Sequence, residues 1–303
     1  MPAFVYLLLP ILFWSGNYVL GRLTVSGGID PYTISFFRWG FACLLIMPFA
    51  LPKIRKDWPL VIKHWPMLLF FAFLGICNYN LFLYIGLTST TVTNAVLLNS
   101  IMPVMILITA RLLLGSKTSQ LQNVGIIIST IGAIVIVSRG SLDTLLHLTV
   151  SKGDLWIITA AVSWAVYSVL LIRRPGMHLL SFFAVTAIMG TCIQFPLYVL
   201  FSHTDISTLT TANWGAILYM AIFASIGAFI CWNVGIQQLG AATAGHFVHL
   251  LPVFSIFLSI IFLEETIQSF HGIGIMLIFS GIGIATILNQ RVKKHALTKS
   301  FGD

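Results

Sequence analysis

The chain contains itself twice. The stretch from Trp65 to Gly132 returns, displaced by a constant 149 positions, between Trp214 and Gly281. In that register Trp65 falls on Trp214, Gly86 on Gly235, Ala95 on Ala244, Pro103 on Pro252, Gly125 on Gly274 and Gly132 on Gly281. Nearer the N-terminus the displacement slips by a few positions, as loop insertions produce: Trp14 aligns with Trp164, and Ser35-Phe36-Phe37 with Ser181-Phe182-Phe183. A period near half the chain constrains the fold to two homologous bundles rather than a solenoid of short units.

Composition sets the solvent. With 58% hydrophobic and 8% charged residues, a soluble globule would expose an aggregating surface, so the chain is read as an all-α integral membrane protein. Runs of about 20 residues with few charges span a hydrocarbon core of about 30 Å as helices. Ten are predicted: 3–22, 32–51, 66–85, 91–112, 119–138, 153–172, 179–201, 213–233, 241–262 and 269–289. The runs are continuous rather than alternating, which favours helices over a barrel.

Basic residues orient the array. With both termini cytoplasmic, the inner side receives Lys53, Arg55, Lys56, Lys63, Arg111, Lys117, Arg173, Arg174, Arg291, Lys293, Lys294 and Lys299, 12 of the 16 Lys and Arg. Arg22, Arg139 and Lys152 remain outside and Arg38 lies within a helix, as the positive-inside rule prefers. The +8 balance is therefore topological, and its scatter over short loops argues against a nucleic-acid surface. The first segment lacks a basic leader region and is expected to be retained. Cys43, Cys77, Cys192 and Cys231 fall inside spans without metal-type spacing and read as packing residues.

Five helices per half make the second half enter the membrane from the opposite side. The expected architecture is thus two inverted five-helix repeats, 1–138 and 153–290, joined by a connecting loop at 139–152 and followed by a basic cytoplasmic tail at 291–303. Inverted repeats supply two exchangeable conformations around a midplane site. The Trp-bearing first helix of each half, Phe37-Arg38-Trp39, Ala95 to Pro103 with Ala244 to Pro252, and Phe262-Leu263-Glu264-Glu265 followed by Gly274 and Gly281 resemble the drug/metabolite transporter superfamily, specifically its EamA-type members. The resemblance implies ten helices in a bacterial inner membrane and a central cavity lined by the first, third and fourth helices of each half. It also implies export or exchange of small metabolites. One departure stands out: the family's Glu after the proline-bearing helix is Glu265 in the second half but Ser116 in the first.

Candidate site residues follow from polarity inside spans. Asn94 and Ser100 on the fourth helix, and Thr243, His246 and His249 on the ninth, recur at multiples of three and share a helix face. The repeat superposes Asn94 on Thr243, Leu97 on His246 and Ser100 on His249. A polar face turned to lipid is costly, so both should look into the bundle as a substrate site or as interhelical hydrogen bonds. The third and eighth helices add Asn78, Tyr79, Asn80 and Tyr84 against Trp232 and Asn233. The first and sixth add Trp14, Asn17 and Tyr18 against Trp164 and Tyr167. Pro103 and Pro252 sit mid-span, where each is expected to remove a hydrogen bond and kink its helix, for packing or for gating. Arg38 lies roughly 9 Å into its span. It is expected to snorkel or pair, as a structural clamp at the outer mouth or as a partner for a substrate carboxylate.

One buried cation cannot neutralise a phosphate. The substrate expected is a neutral, zwitterionic or aromatic metabolite of amino-acid type, and no cofactor is implied. With no acid deep inside a predicted span (Asp154 stands at the very start of 153–172), His246 and His249 are the candidates for coupling to a proton. A channel-like permease and an intramembrane metal enzyme are the alternatives. The enzyme would rest on His246 and His249 alone, because Glu264 lies about 22 Å further along a straight helix and no zinc-protease or serine-hydrolase motif occurs.

Overall fold

A computed structural model describes residues 3–90, 92–116, 119–141, 143, 151–263 and 268–288, and among them every regular element is helical. The first half runs α1 (Val5–Ser26), α2 (Pro31–Phe71), a π-helical turn (Ala72–Asn78), α3 (Tyr79–Ser89), α4 (Val92–Asn99), α5 (Met102–Leu114) and α6 (Gln120–Val137). The second runs α7 (Lys152–Leu170), α8 (Leu179–Phe201), α9 (Thr211–Tyr219), a π-helical turn (Met220–Gly227), α10 (Ala228–Leu239), α11 (Ala241–Phe247), α12 (Leu250–Leu263), α13 (Ser269–Gly283) and a final π-helical turn (Ile284–Leu288). Eight helical stretches are long and apolar enough to cross a membrane. The longest, Pro31–Ser89 with 59 residues, contains two of the ten predicted segments. α1, at 22 residues, is not one of the eight; Asn17 and Arg22 dilute its apolarity.

Starts and stops follow local chemistry. Asp30 caps α2 by accepting from the Thr33 amide at 2.9 Å, with Pro31 behind it in the first turn, where its missing N–H costs nothing. Ser119 with Gln122, Ser151 with Asp154, and Thr210 with Asn213 form reciprocal capping boxes for α6, α7 and α9. Gly115 closes α5 at a φ of 63°, a left-handed conformation that needs glycine.

The burial pattern is that of a membrane protein. Leu44, Phe49, Leu112 and Leu200 are more than two-thirds exposed, whereas Asn17, Arg38, Asn80, Asn233, His246 and His249 are at most 2% exposed. Apolar atoms face outward and polar ones inward because lipid cannot satisfy a hydrogen bond.

Two expectations change. The connection after residue 51 is helical: α2 continues through Pro48, Pro52, Pro59 and Pro66, with its one non-helical residue at His64, shortly before Pro66, where a proline disfavours helical geometry upstream. The prolines at 103 and 252 do not kink a continuous helix. The chain breaks between Asn99 and Met102 and again between Phe247 and Leu250. Pro103 and Pro252 then fall in the first turn of the helix that follows, among amides that have no partner within a helix anyway.

Positions related by 149 meet reciprocally. Gly125 and Gly281, and likewise Gly132 and Gly274, cross so closely that a Cβ on Gly281 would lie 2.5 Å from the Gly125 carbonyl oxygen, and one on Gly132 would lie 2.7 Å from that of Gly274. Gly86 packs on Ile157 as Gly235 packs on Leu7. The π turns at Ala72–Asn78 and Met220–Gly227, and the helix breaks at Ser100 and His249, also fall at corresponding places.

Candidate functional site

The centre of the bundle is an aromatic cluster. Trp14 on α1 and Trp164 on α7, aligned by the repeat, meet edge to face with ring centroids 5.0 Å apart. Trp232 lies 5.3 Å from Trp14 and 5.8 Å from Trp164. Phe229, Tyr79 and Tyr167 complete the shell around Trp164 at 5.2, 4.7 and 5.0 Å. The polar edges are satisfied: Trp14 Nε1 donates to the Ala224 carbonyl at 3.1 Å and Trp232 Nε1 to Ser168 Oγ at 3.1 Å. Such a shell suits an apolar or aromatic body presented with a few fixed polar groups.

Beside it lies Arg38, fully buried. It does not snorkel, since its guanidinium nitrogens are held inside the bundle. Nε donates to Ser225 Oγ at 2.7 Å, and one terminal nitrogen, Nη2, to the Ala224 carbonyl at 3.0 Å. The other, Nη1, donates to Tyr84 OH at 2.6 Å and Asn17 Oδ1 at 3.2 Å. Tyr84 OH in turn donates to Asn17 Oδ1 at 2.9 Å. Four neutral oxygens inside the bundle hold the side chain in place of the water that snorkelling would reach. In the second half the same aligned pair recurs with its chemistry exchanged: Asn233 Nδ2 donates to Tyr167 OH at 3.2 Å, where Asn233 aligns with Tyr84 and Tyr167 with Asn17. The cation is not repeated at the aligned position, where Arg38 falls on Ala184.

A third group gathers at the two helix breaks. His249 Nε2 lies 3.0 Å from the Ser100 carbonyl and 3.3 Å from Thr130 Oγ1, and Nδ1 lies 2.7 Å from Ser129 Oγ. A carbonyl can only accept, which puts the proton on Nε2 and leaves Nδ1 to accept from Ser129. His246, one turn earlier and equally buried, has no hydrogen-bond partner at either ring nitrogen among the described residues, and neither does Asn99 at Oδ1.

The remaining predicted residues divide. Tyr18 is buried, and its hydroxyl interacts with that of Tyr79. Asn80 turns back on its own chain, donating to the Gly75 and Ile76 carbonyls at 2.9 and 3.1 Å in the π turn, so its amide is committed to backbone. Ser100 Oγ is likewise spent on the Val96 carbonyl at 3.0 Å. Asn78, Asn94 and Thr243 are only half-buried, and no hydrogen bond joins Asn78 or Thr243 to the central groups among the described residues. Glu265 lies outside the described residues. Phe229, Ser225, Ser129 and Thr130 were not anticipated. A Phe or Ser in an apolar run carries no signal, although Gly125 and Ser129 do share the small-residue spacing of close helix crossings.

Polar ties close one end of the bundle. Thr90 Oγ1 donates to Asp154 Oδ1 at 2.5 Å, and Arg22 donates to the Leu87 carbonyl. Asp30 accepts from Thr204 Oγ1 at 2.5 Å and from Ser202 Oγ at 2.9 Å. Burial pushes the Asp30 carboxyl up, but hydrogen bonds from Thr204, Thr33 and Ser202 outweigh that and hold it below the usual value of 3.8. A cavity of about 440 Å³ lies elsewhere, lined by Trp65, Pro66, Leu69, Phe70, Phe73 and Ile193. Its exposed apolar walls suit lipid rather than a polar solute.

The EamA-like transporter family matches residues 1–138 and again 151–287. The uncharacterized transporter YyaM of Bacillus subtilis is 30% identical over 295 residues, covering 94% of this chain and 95% of that protein. The uncharacterized transporter YetK of the same organism is 29% identical, covering 96% and 88%. A probable terminal-alkyne amino-acid exporter of Streptantibioticus cattleyicolor is 23% identical, covering 94% and 92%. A solved crystal structure shares the fold with a TM-score of 0.78 at 19% identity, over 96% of this chain and 98% of that one.

Proposed function

The chain belongs to the EamA-like transporter family, a multi-pass membrane transporter and not an enzyme, and on that premise we propose that it works by alternating access between two inverted five-helix repeats. Its cargo is a small neutral, zwitterionic or aromatic metabolite of amino-acid type, exported or exchanged across the cytoplasmic membrane with both termini inside. The observation that carries this reading is the reciprocal contact of aligned positions around one aromatic centre: Trp14 with Trp164, Ser100 with His249, and Gly125 and Gly132 with Gly281 and Gly274. A two-fold arrangement of that kind lets either half rock on the other and exchange which end is closed. The amino-acid exporter among the relatives agrees with the aromatic and polar lining. His246 and His249 are the groups through which a proton gradient would act.

Proteoliposomes test it. Counterflow of radiolabelled amino acids should be saturable and stereoselective, and should fall when Trp14→Ala or Trp164→Ala opens the aromatic shell. Flux linear in concentration and indifferent to both substitutions would refute a carrier. An imposed pH gradient should drive uptake in the wild type and not in His246→Ala/His249→Ala. Equal responses remove the histidines from coupling.

A further inference from the structure

We propose that Arg38 is a carboxylate-binding residue, and that the oxygens of Ser225 and Ala224 occupy, in this closed form, the place of a substrate carboxylate. The inference rests on the alternating-access reading and narrows its substrate class. A guanidinium pairs with a carboxylate through its Nε and one terminal nitrogen, two parallel N–H groups that meet two oxygens. In this structure that edge is filled by Ser225 Oγ at 2.7 Å and the Ala224 carbonyl at 3.0 Å. Both oxygens come from the π turn of the second half. The other nitrogen is held by Asn17 on α1 and Tyr84 on α3, both in the first half. The two edges of one guanidinium therefore belong to different halves. When the halves separate, the first keeps Arg38 oriented and the second withdraws the two oxygens, leaving the fork presented.

Charge points the same way. All four partners are neutral, and among the described residues no carboxylate is paired with Arg38, so the closed form buries a cation without a counter-ion. A carboxylate on the solute supplies the missing charge. The Ala224 carbonyl also accepts from Trp14 Nε1 at 3.1 Å, so the oxygen that a carboxylate displaces is shared with the aromatic cluster. The ligand that fits carries an acid group next to an apolar or aromatic body.

The test uses purified full-length protein and a matched series: 3-phenylpropionate, L-phenylalanine, L-phenylalaninamide and phenethylamine. Binding is read by tryptophan fluorescence in detergent and flux by counterflow in liposomes. The two acids should bind at least tenfold more tightly than the amide and the amine. Arg38→Gln should erase that preference, and Arg38→Lys should keep part of it. Should the Arg38 variants fail to fold, Ser225→Ala carries the test, since removing one competing oxygen should tighten 3-phenylpropionate severalfold and leave phenethylamine unchanged. Equal binding of acids and amine, or no response to Ser225→Ala, overturns the carboxylate site even where flux is saturable. Acid-selective binding without flux upholds the site and overturns the transport reading. Neither binding nor flux for any member overturns both.

Discussion

Substituting Gly281 with alanine should destabilise the protein strongly, while the same change nine residues earlier on the same helix should not. A Cβ at Gly281 would stand 2.5 Å from the Gly125 carbonyl oxygen, 2.6 Å from the Ser129 amide nitrogen and 2.8 Å from Ser129 Cβ, and ordinary contact begins at 3.4 Å. Two of those three atoms are backbone, so no side chain can rotate away. Relief requires α6 and α13 to part by roughly 0.9 Å, and a radial gap of that size forfeits a quarter to a half of the dispersion attraction at each contact along the crossing. Overpacking of this type costs about 1–3 kcal/mol, and the backbone clash argues for the upper part of that range. At Gly272, exposed on α13, an added Cβ meets nothing within 4 Å, and alanine should be neutral or stabilising through its higher helix propensity. The measurement is the midpoint of thermal unfolding in detergent for both variants. Gly281→Ala should fall by several degrees and Gly272→Ala should not. Gly125→Ala meets the Gly281 carbonyl oxygen at 2.5 Å, so it should behave like Gly281→Ala, and the double variant should lose less than the two added together, because one separation relieves both clashes. Equal midpoints for Gly281→Ala and Gly272→Ala would refute the close crossing.

His246→Leu, which installs the residue its aligned partner Leu97 carries, should raise thermal stability by about 1–3 kcal/mol, since it removes a buried polar ring that has no hydrogen bond among the described residues; calorimetry or melting checks this, and a loss of stability would mean that the ring has a partner. His249→Leu should do the reverse, because it strips partners from Ser129 and the Ser100 carbonyl, and a melt no lower than wild type would count against that network. Asp30, whose folded value is depressed, adds stability that is complete at neutral pH and is lost as pH falls through its folded value below 3.8. Asp30→Asn should therefore flatten the acid side of the melting profile, and an unchanged acid limb excludes Asp30 as its cause.

The frame was legible because a repeat is a spacing, and spacing survives drift in residue identity. The repeat aligns Trp14 with Trp164 and superposes Ser100 on His249, whose polar faces are expected to turn inward. It does not anticipate the breaks beside Pro103 and Pro252, since a proline opening a new helix and one kinking a continuous helix read alike along a chain. The π turns were equally hidden, because moving a backbone bond by one residue leaves no side-chain signature. Arg38 stood out as an ion in a span, yet its partners Ser225 and Ala224 lie 187 and 186 positions away. Nothing local marks a serine in an apolar run as the oxygen that meets a guanidinium. Ser129, which meets His249 across 120 positions, was missed for the same reason.

The symmetry also fails in a directed way at the two ends. One end closes through hydrogen bonds: Thr90 to Asp154, Arg22 to the Leu87 carbonyl, and Ser202 and Thr204 to Asp30. Asp154 aligns with Phe4 and Thr90 with Leu239, and at the opposite end Phe4 stacks on Phe247 at 5.9 Å while Leu7 packs on Gly235. Water entering the first end replaces each broken hydrogen bond, so the net cost is about 0.5–1.5 kcal/mol apiece. Exposing Phe4 and Leu7 at the second end costs about 25 cal/mol for each Å², beside the hydrogen bonds that Arg174 donates to Gln237 and the His178 amide donates to Asp57. The aligned positions therefore close the two ends by different means even where the backbone is related by the repeat. The end tied by Asp30 responds to pH and hydrogen-bonding cosolvents, and the packing of Phe4 and Leu7 responds to the size of the side chains there.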